Sequence, residues 1–252
     1  MLRDEYFRRL VDNAHLQLYL SANDGARLYW PWRMQPPKEA SRSYRDACER
    51  YIIDSDPKDN TVTTKDVLDT AFRLNADVAS LQDVYQDKDA TVGKLLAGLE
   101  TYDDHSFDGE LLLPLQEPFI ECWNEIGEPK VHLLGIGGLK DASPQKRVEA
   151  TRTLREAVGQ DVWIHGFGWG VKGLKQPIQN NPELLDSIDY STPVQSGSDP
   201  TVSSGKERMS VVAMNAATQL IEDLRDVSSY VDQTPEDFRD TGQQGMDAFQ
   251  RP

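Results

Sequence analysis

The chain has 252 residues, 38% hydrophobic and 27% charged, enough for one large globular domain or two small ones with a sizeable core. Its 42 acidic and 27 basic residues give a formal net charge of −15, with Asp and Glu spread along the whole length. That balance argues against broad, electrostatically driven DNA binding, so any nucleic-acid partner would be held by local Arg and Lys groups, geometry and base pockets.

The acidity fits a surface suited to a high-salt cytoplasm, or an ordinary acidic cytosolic protein. The only cysteines are Cys48 and Cys122, which excludes a disulfide framework and a Cys-rich zinc site and suits a reducing compartment. No run of about 18 apolar residues occurs, and the start MLRDEYFRRL carries charges where a signal peptide needs an apolar stretch. A soluble, cytoplasmic protein is expected.

In chain order, the first expected strand is LQLYLS at 16–21. The stretch 22–45 is irregular; within it YWPWRM at 29–34 places three aromatics and Arg33 in a loop, either as a packing plug or as a surface that stacks on a base or sugar. The strand YIID at 51–54 follows, then a helix in TKDVLDTAFRLN and the strand VASLQD at 78–83. Next come a helix in ATVGKLLAGLETY, the strand ELLLPLQ at 110–116, a helix in PFIECWNEIG and the strand VHLLGIGGL at 131–139. Ser143-Pro144 opens the helix SPQKRVEATRTLREAVG with an N-cap and Pro at the first helical position. The strand VWIHGFG at 162–168, a short helix in NPELLDS and the strand SIDYST at 187–192 complete the repeat.

Seven strands at a spacing of roughly 25 to 30 residues predict an α/β fold, a TIM-type (β/α)8 barrel. The barrel is irregular or incomplete unless an eighth strand hides in 22–45. The barrel is expected over 1–195 as the catalytic domain, with a Gly/Ser-rich loop and a long helix packing on it over 196–230 and a polar tail over 231–252.

In such a barrel the C-terminal strand ends face one pocket. Here they carry Asp54, Asp83, Gln116, Gly137 with Gly138, His165 with Gly166, and Asp189. Each has a plainer reading: the aspartates as turn residues, Gln116 as a helix-start cap, the glycines as tight-turn positions. Their recurrence in strand after strand favours a shared site. The histidines show no HxH or HExxH spacing, so no catalytic metal is expected; His132 is placed inside a strand, His105 in an acidic loop, and His165 at a strand end where it could line a pocket. Lys206 and Arg208 are candidates for phosphate contacts, or else a solvated first helical turn.

These strand ends resemble those of the queuine and archaeosine tRNA-guanine transglycosylases and their DNA-modifying relatives. IIDSD is similar to that family's strand ending in Asp-Ser, ADVASLQDV to the next strand with its purine-binding Asp, LLLPLQ to a strand ending in Gln, LLGIGGL to its Gly-Gly-Leu element, IHGFGWG to a Gly-x-Gly strand, and SIDYSTP to the strand bearing its nucleophilic aspartate. The likeness runs from about residue 50 to 195. It departs where Asp56-Pro57 replaces a Gly-Gly turn, and the zinc-binding Cys/His segment of the tRNA enzymes is missing. That loss, the short chain and IDYST in place of an Asp-Cys version bring it nearer to the DNA-guanine transglycosylase branch of viruses and some prokaryotes.

The resemblance implies a pentosyltransferase that replaces guanine in DNA with a 7-deazaguanine such as preQ0, needing no cofactor and no zinc. Asp189 is then the nucleophile and Asp54 the acid/base. Asp83, Gln116, Gly137, Gly138, His165, Gly166 and Ser55 bind the base; Lys206, Arg208 and Arg33 contact nucleic acid. The implied partners are DNA, with tRNA as the alternative, and the free base; a homodimer or partner modification enzymes would fit, a membrane would not. A host cytoplasm is implied if the chain is viral. The carboxylates suit the chemistry on their own, because breaking a glycosidic bond through an oxocarbenium-like state is served by one carboxylate that traps C1′ and one carboxyl with a raised pKa. Two rivals remain: a silent transglycosylase-like subunit that binds nucleic acid, and an unrelated barrel hydrolase.

Overall fold

The protein is described here from a computed structural model, over residues 5–21, 29–56, 61–127, 133–169, 183–191, 215 and 218–227. Eight parallel strands close into a barrel in the order in which they occur along the chain. They are β1 (Gln17–Leu20), β2 (Trp32–Gln35), β3 (Arg50–Ile53), β4 (Val78–Ser80), β5 (Glu110–Leu115), β6 (Leu133–Ile136), β7 (Trp163–Gly166) and β8 (Ser187–Tyr190). The ring shuts where β1 pairs with β8, from Gln17 against Ser187 to Leu20 against Tyr190.

The helices are α1 (Glu5–Asp12), α2 (Arg42–Arg45), α3 (Thr64–Leu74), α4 (Lys88–Asp103), α5 (Phe119–Glu125) and α6 (Pro144–Val158); residues 218–226 are also helical. Their starts follow from local chemistry. Thr63 and Asp66 form a reciprocal capping box on α3, Asp87 accepts from the Ala90 amide on α4, and Ser143 accepts from the Lys146 amide with Pro144 at the first helical position, each satisfying amides that the first turn leaves unpaired.

The eighth strand is β2, inside the stretch expected to be irregular. Trp30, Trp32 and Met34 are buried there, so YWPWRM is a strand and its packing, not an open stacking loop. The NPELLDS segment also departs from expectation: residues 183–186 form turns and bends, not helix.

Because side chains alternate across a strand, the pairing register sorts each strand into two faces. Leu18, Leu20, Ile53, Leu111, Leu113, Leu115, Ile136, Ile164 and Ile188 face outward into the helical layer, where Val67, Leu68, Ala71, Leu95, Cys122 and Leu154 are buried against them. Cys48 and Cys122 are free and buried, packing as small hydrophobes, and burial pushes both thiols up, Cys48 to about 11.

The inward face is polar at both ends. At the N-terminal end the Arg50 guanidinium bonds Glu110 at 2.5 Å and lies 5.1 Å from the Trp163 ring centroid, plugging the barrel. Close by, Arg155 on α6 bonds Asp186 at 2.6 Å and the Val162 carbonyl at 2.5 Å, while Asp186 accepts from the Ile164 amide. These bonds join α6 to the starts of β7 and β8. The C-terminal end is left for Asp54, Gln116, Gly137, Phe167 and Asp189.

Candidate active site

Asp54 extends β3 by one residue, its amide donating to the Gln35 carbonyl at 2.9 Å. The side chain turns inward, where Oδ1 accepts from the Ser55 amide at 2.9 Å, and Asp56 at φ 48 turns the chain away. The bond within the turn and the inward carboxylate coexist at one residue. Burial first, then the negative charges of Asp189 and Asp83, push the Asp54 carboxyl up to about 7. Asp54 and Asp189 stand at the C-terminal ends of β3 and β8, and Asp83, on the loop after β4, is bonded to Gln116 just past β5, so the three carboxylates gather at one end of the barrel. Ser55 is buried and meets Asp54 through its backbone amide.

Asp83 stands on the loop after β4, where Gln116 Nε2 donates to its Oδ2 at 2.6 Å. Burial raises its pKa, opposed by the Gln116 bond and the positive charge of Lys94. Gln116, expected to contact a base, is fully buried, and its Oε1 accepts from the Gln86 amide at 3.0 Å, so in this structure it braces Asp83. Gly137 and Gly138 pass directly over this amide. A Cβ at Gly137 would collide with Gln116 Nε2 and one at Gly138 with Oε1, and Gly138 has φ +72. The two glycines make room for the brace.

Asp189, on the inward face of β8, accepts from the Gly168 amide through Oδ1. Gly168 has φ +64, a conformation glycine adopts without steric cost. Gly166, expected to touch substrate, is instead covered by Trp169, whose Cγ would lie 3.0 Å from an added Cβ. Its close approach serves packing behind the strand. Arg147, in the first turns of α6, donates to the Ala142 carbonyl at 3.0 Å, to the Trp169 carbonyl at 2.6 Å and to the Lys140 carbonyl, tying the loop after β6 to the loop after β7.

His165 faces inward, one layer below the carboxylates. Its Nδ1 lies 2.8 Å from Ser187 Oγ, and its ring meets Tyr19 and Phe167 edge-on with centroids 5.8 and 4.8 Å apart. Burial pushes it down to about 3, so the imidazole is neutral. Phe167 is partly exposed at the mouth and crosses Gly135, whose missing side chain leaves the space. The alternation after His165 was the signal that could have picked out Phe167; the roles of Gly168, Gln86 and Arg147 carry no such signal, being backbone or loop contacts.

Arg33, expected at a nucleic-acid surface, is fully buried on the outward face of β2, with its guanidinium carbon 4.9 Å from the Tyr44 ring centroid. Lys206, Arg208 and His132 lie outside the described residues. Among the described residues no group of three or more His, Cys, Asp or Glu could hold a metal ion, and no helix is long and apolar enough to cross a membrane.

Fold and site together define a TIM-type barrel with three carboxylates grouped at its C-terminal mouth. Compared with known proteins, the chain matches no family model and no curated protein sequence.

Proposed function

We propose that the chain is a base-exchange transglycosylase that replaces guanine in DNA with a 7-deazaguanine of the preQ0 type through a covalent aspartyl–sugar intermediate. The observation that carries this reading is the pair of carboxyl groups made chemically unequal by their surroundings. Asp54 is pushed up to about 7, while Asp189 is held by the Gly168 amide. Two carboxyls with separate environments take separate acid and nucleophile roles.

In the first half-reaction an Asp189 oxygen bonds to C1′ as the bond from C1′ to the guanine nitrogen breaks, and Asp54 gives its proton to the departing base. In the second, Asp54 takes the ring N–H proton of the incoming base, whose nitrogen bonds to C1′ and releases Asp189. A carboxyl near 7 populates both forms at neutral pH, as an acid that must also act as base requires. Asp83, braced by Gln116, accepts from the N1–H and 2-amino group of a guanine-like ring. The target nucleotide must leave the base stack to reach the mouth.

The test is incorporation of radiolabelled guanine or deazaguanine into DNA and tRNA, with trapping of the covalent adduct. Wild type should exchange base on DNA and give an adduct, and Asp189→Asn should do neither while still binding the free base. An adduct surviving in Asp189→Asn would refute the assignment of the nucleophile. Exchange on tRNA alone would keep the chemistry and change the polymer.

A further inference from the structure

The buried imidazole beneath the carboxylates has an unequal pair of nitrogens. Ser187 Oγ accepts from Trp163 Nε1 at 2.8 Å and lies 2.8 Å from His165 Nδ1. Indole N–H can only donate, so one lone pair of the hydroxyl is committed. If Nδ1 carried the imidazole proton, Ser187 would accept twice and its own hydroxyl hydrogen would have no acceptor. If Ser187 donates to Nδ1, the hydroxyl is satisfied on both sides and the ring proton sits on Nε2. The second arrangement leaves one buried polar group unpaired instead of two, and buried groups are rarely left so.

His165 Nε2 is that group: it is buried and has no hydrogen-bond partner among the described residues. In a histidine whose Nδ1 is bonded beside its own strand, Nε2 lies at the far end of the ring. His165 itself stands on the inward face of β7, in register with Gly135 and Ser187, below the strand ends that carry Asp54 and Asp189.

We propose that His165 presents a fixed Nε2–H donor on the inward face of the barrel, below the carboxylates, for an acceptor atom of an uncharged, planar heterocycle. Three carboxylates at the mouth disfavour an anion, which leaves a carbonyl oxygen or a pyridine-type ring nitrogen as the acceptor, and the Phe167 ring lies beside it, with its centroid 4.8 Å from that of the imidazole. The inference rests on the transglycosylase reading for naming the heterocycle as a guanine-type base; the proton position does not depend on it.

Nitrogen NMR of wild-type protein carrying 15N-histidine should show a pyrrole-type Nε2 and a pyridine-type Nδ1 for His165; the reverse pattern overturns the proposal. Ser187→Ala should release the ring into a mixture of tautomers. On titration with guanine, the Nε2–H resonance should move, and His165→Phe should weaken guanine binding roughly tenfold or more, the factor carried by one buried donor. Unchanged affinity in His165→Phe, with wild type still exchanging base, would overturn the role of His165 and leave the transglycosylase reading intact. Wild type that neither binds guanine nor exchanges it would overturn that reading and the named ligand together.

Discussion

Replacing Asp54 by Asn removes the one carboxyl that burial and two neighbouring aspartates hold near neutrality, and its effect on stability has a definite sign. Moving from 3.8 to about 7 corresponds to ~4 kcal/mol of preference for the neutral carboxyl, since a tenfold change in the ionisation constant is ~1.36 kcal/mol. Asp54 keeps some exposure to solvent, so about half of this, ~2 kcal/mol, is expected in practice. Between those two values the folded chain binds more protons than the unfolded chain, so stability contributed by Asp54 is fully present below about pH 4 and is lost as pH rises through about 7. Asn is neutral throughout and its Oδ1 still accepts from the Ser55 amide.

Asp54→Asn should therefore match wild type near pH 4 and exceed it by ~2 kcal/mol near pH 9, as read from urea unfolding at several pH values with equal m-values. In an Asp189→Asn background the gain should shrink, because one of the charges acting on Asp54 is gone. Parallel pH curves for Asp54→Asn and wild type would refute the reasoning and with it the closeness of the three carboxylates.

Three further outcomes are expected. Gly137→Ala drives a Cβ into Gln116, so it should cost ~1–3 kcal/mol of stability and weaken base binding in calorimetry by releasing Asp83. Arg155→Ala strips the buried bond from Asp186 and should lower stability by ~3 kcal/mol in urea unfolding, without moving the tautomer of His165. Lys94, whose charge is felt at Asp83, and Lys140, beside Gly168, are exposed cations near the strand-end carboxylates. Changing either to Ala should weaken DNA binding and reduce the salt slope measured by anisotropy by about 1, whereas an unchanged slope would put the phosphate path elsewhere.

Much of the barrel was legible because seven strands are apolar runs bounded by turn residues, repeated at an even interval. The strand β2 was not, since Trp32-Arg33-Met34-Gln35 puts a guanidinium and an amide on the outward face and contains no β-branched residue. The overlying Tyr44 ring and the Tyr51 hydroxyl, which donates to Gln35 Oε1 at 2.7 Å, help make those polar groups tolerable in the interior. Asp54 and Asp189 could be placed because their side chains follow directly from strand parity, whereas Asp83 lies three residues past the end of β4 at Ser80, on a loop and not at the strand end expected for it. Gln116 and Gly166 were assigned contacts that the structure gives to other partners, because what covers them arrives on loops from Asp83 to Gln86 and from Phe167 to Trp169. Strand periodicity carries no information about such approaches.

The three carbonyls gathered by Arg147 have a mechanical consequence. One side chain fastens the segment that arches over Gln116 to the segment that offers Gly168 to Asp189, so neither can swing out alone. Opening the mouth on the side of β6 and β7 is then a single event, in which the brace on Asp83 and the amide that holds Asp189 are lost together. Amide hydrogen exchange at Gly138 and Gly168 should accordingly proceed at a common rate, and Arg147→Ala should let the two rates part.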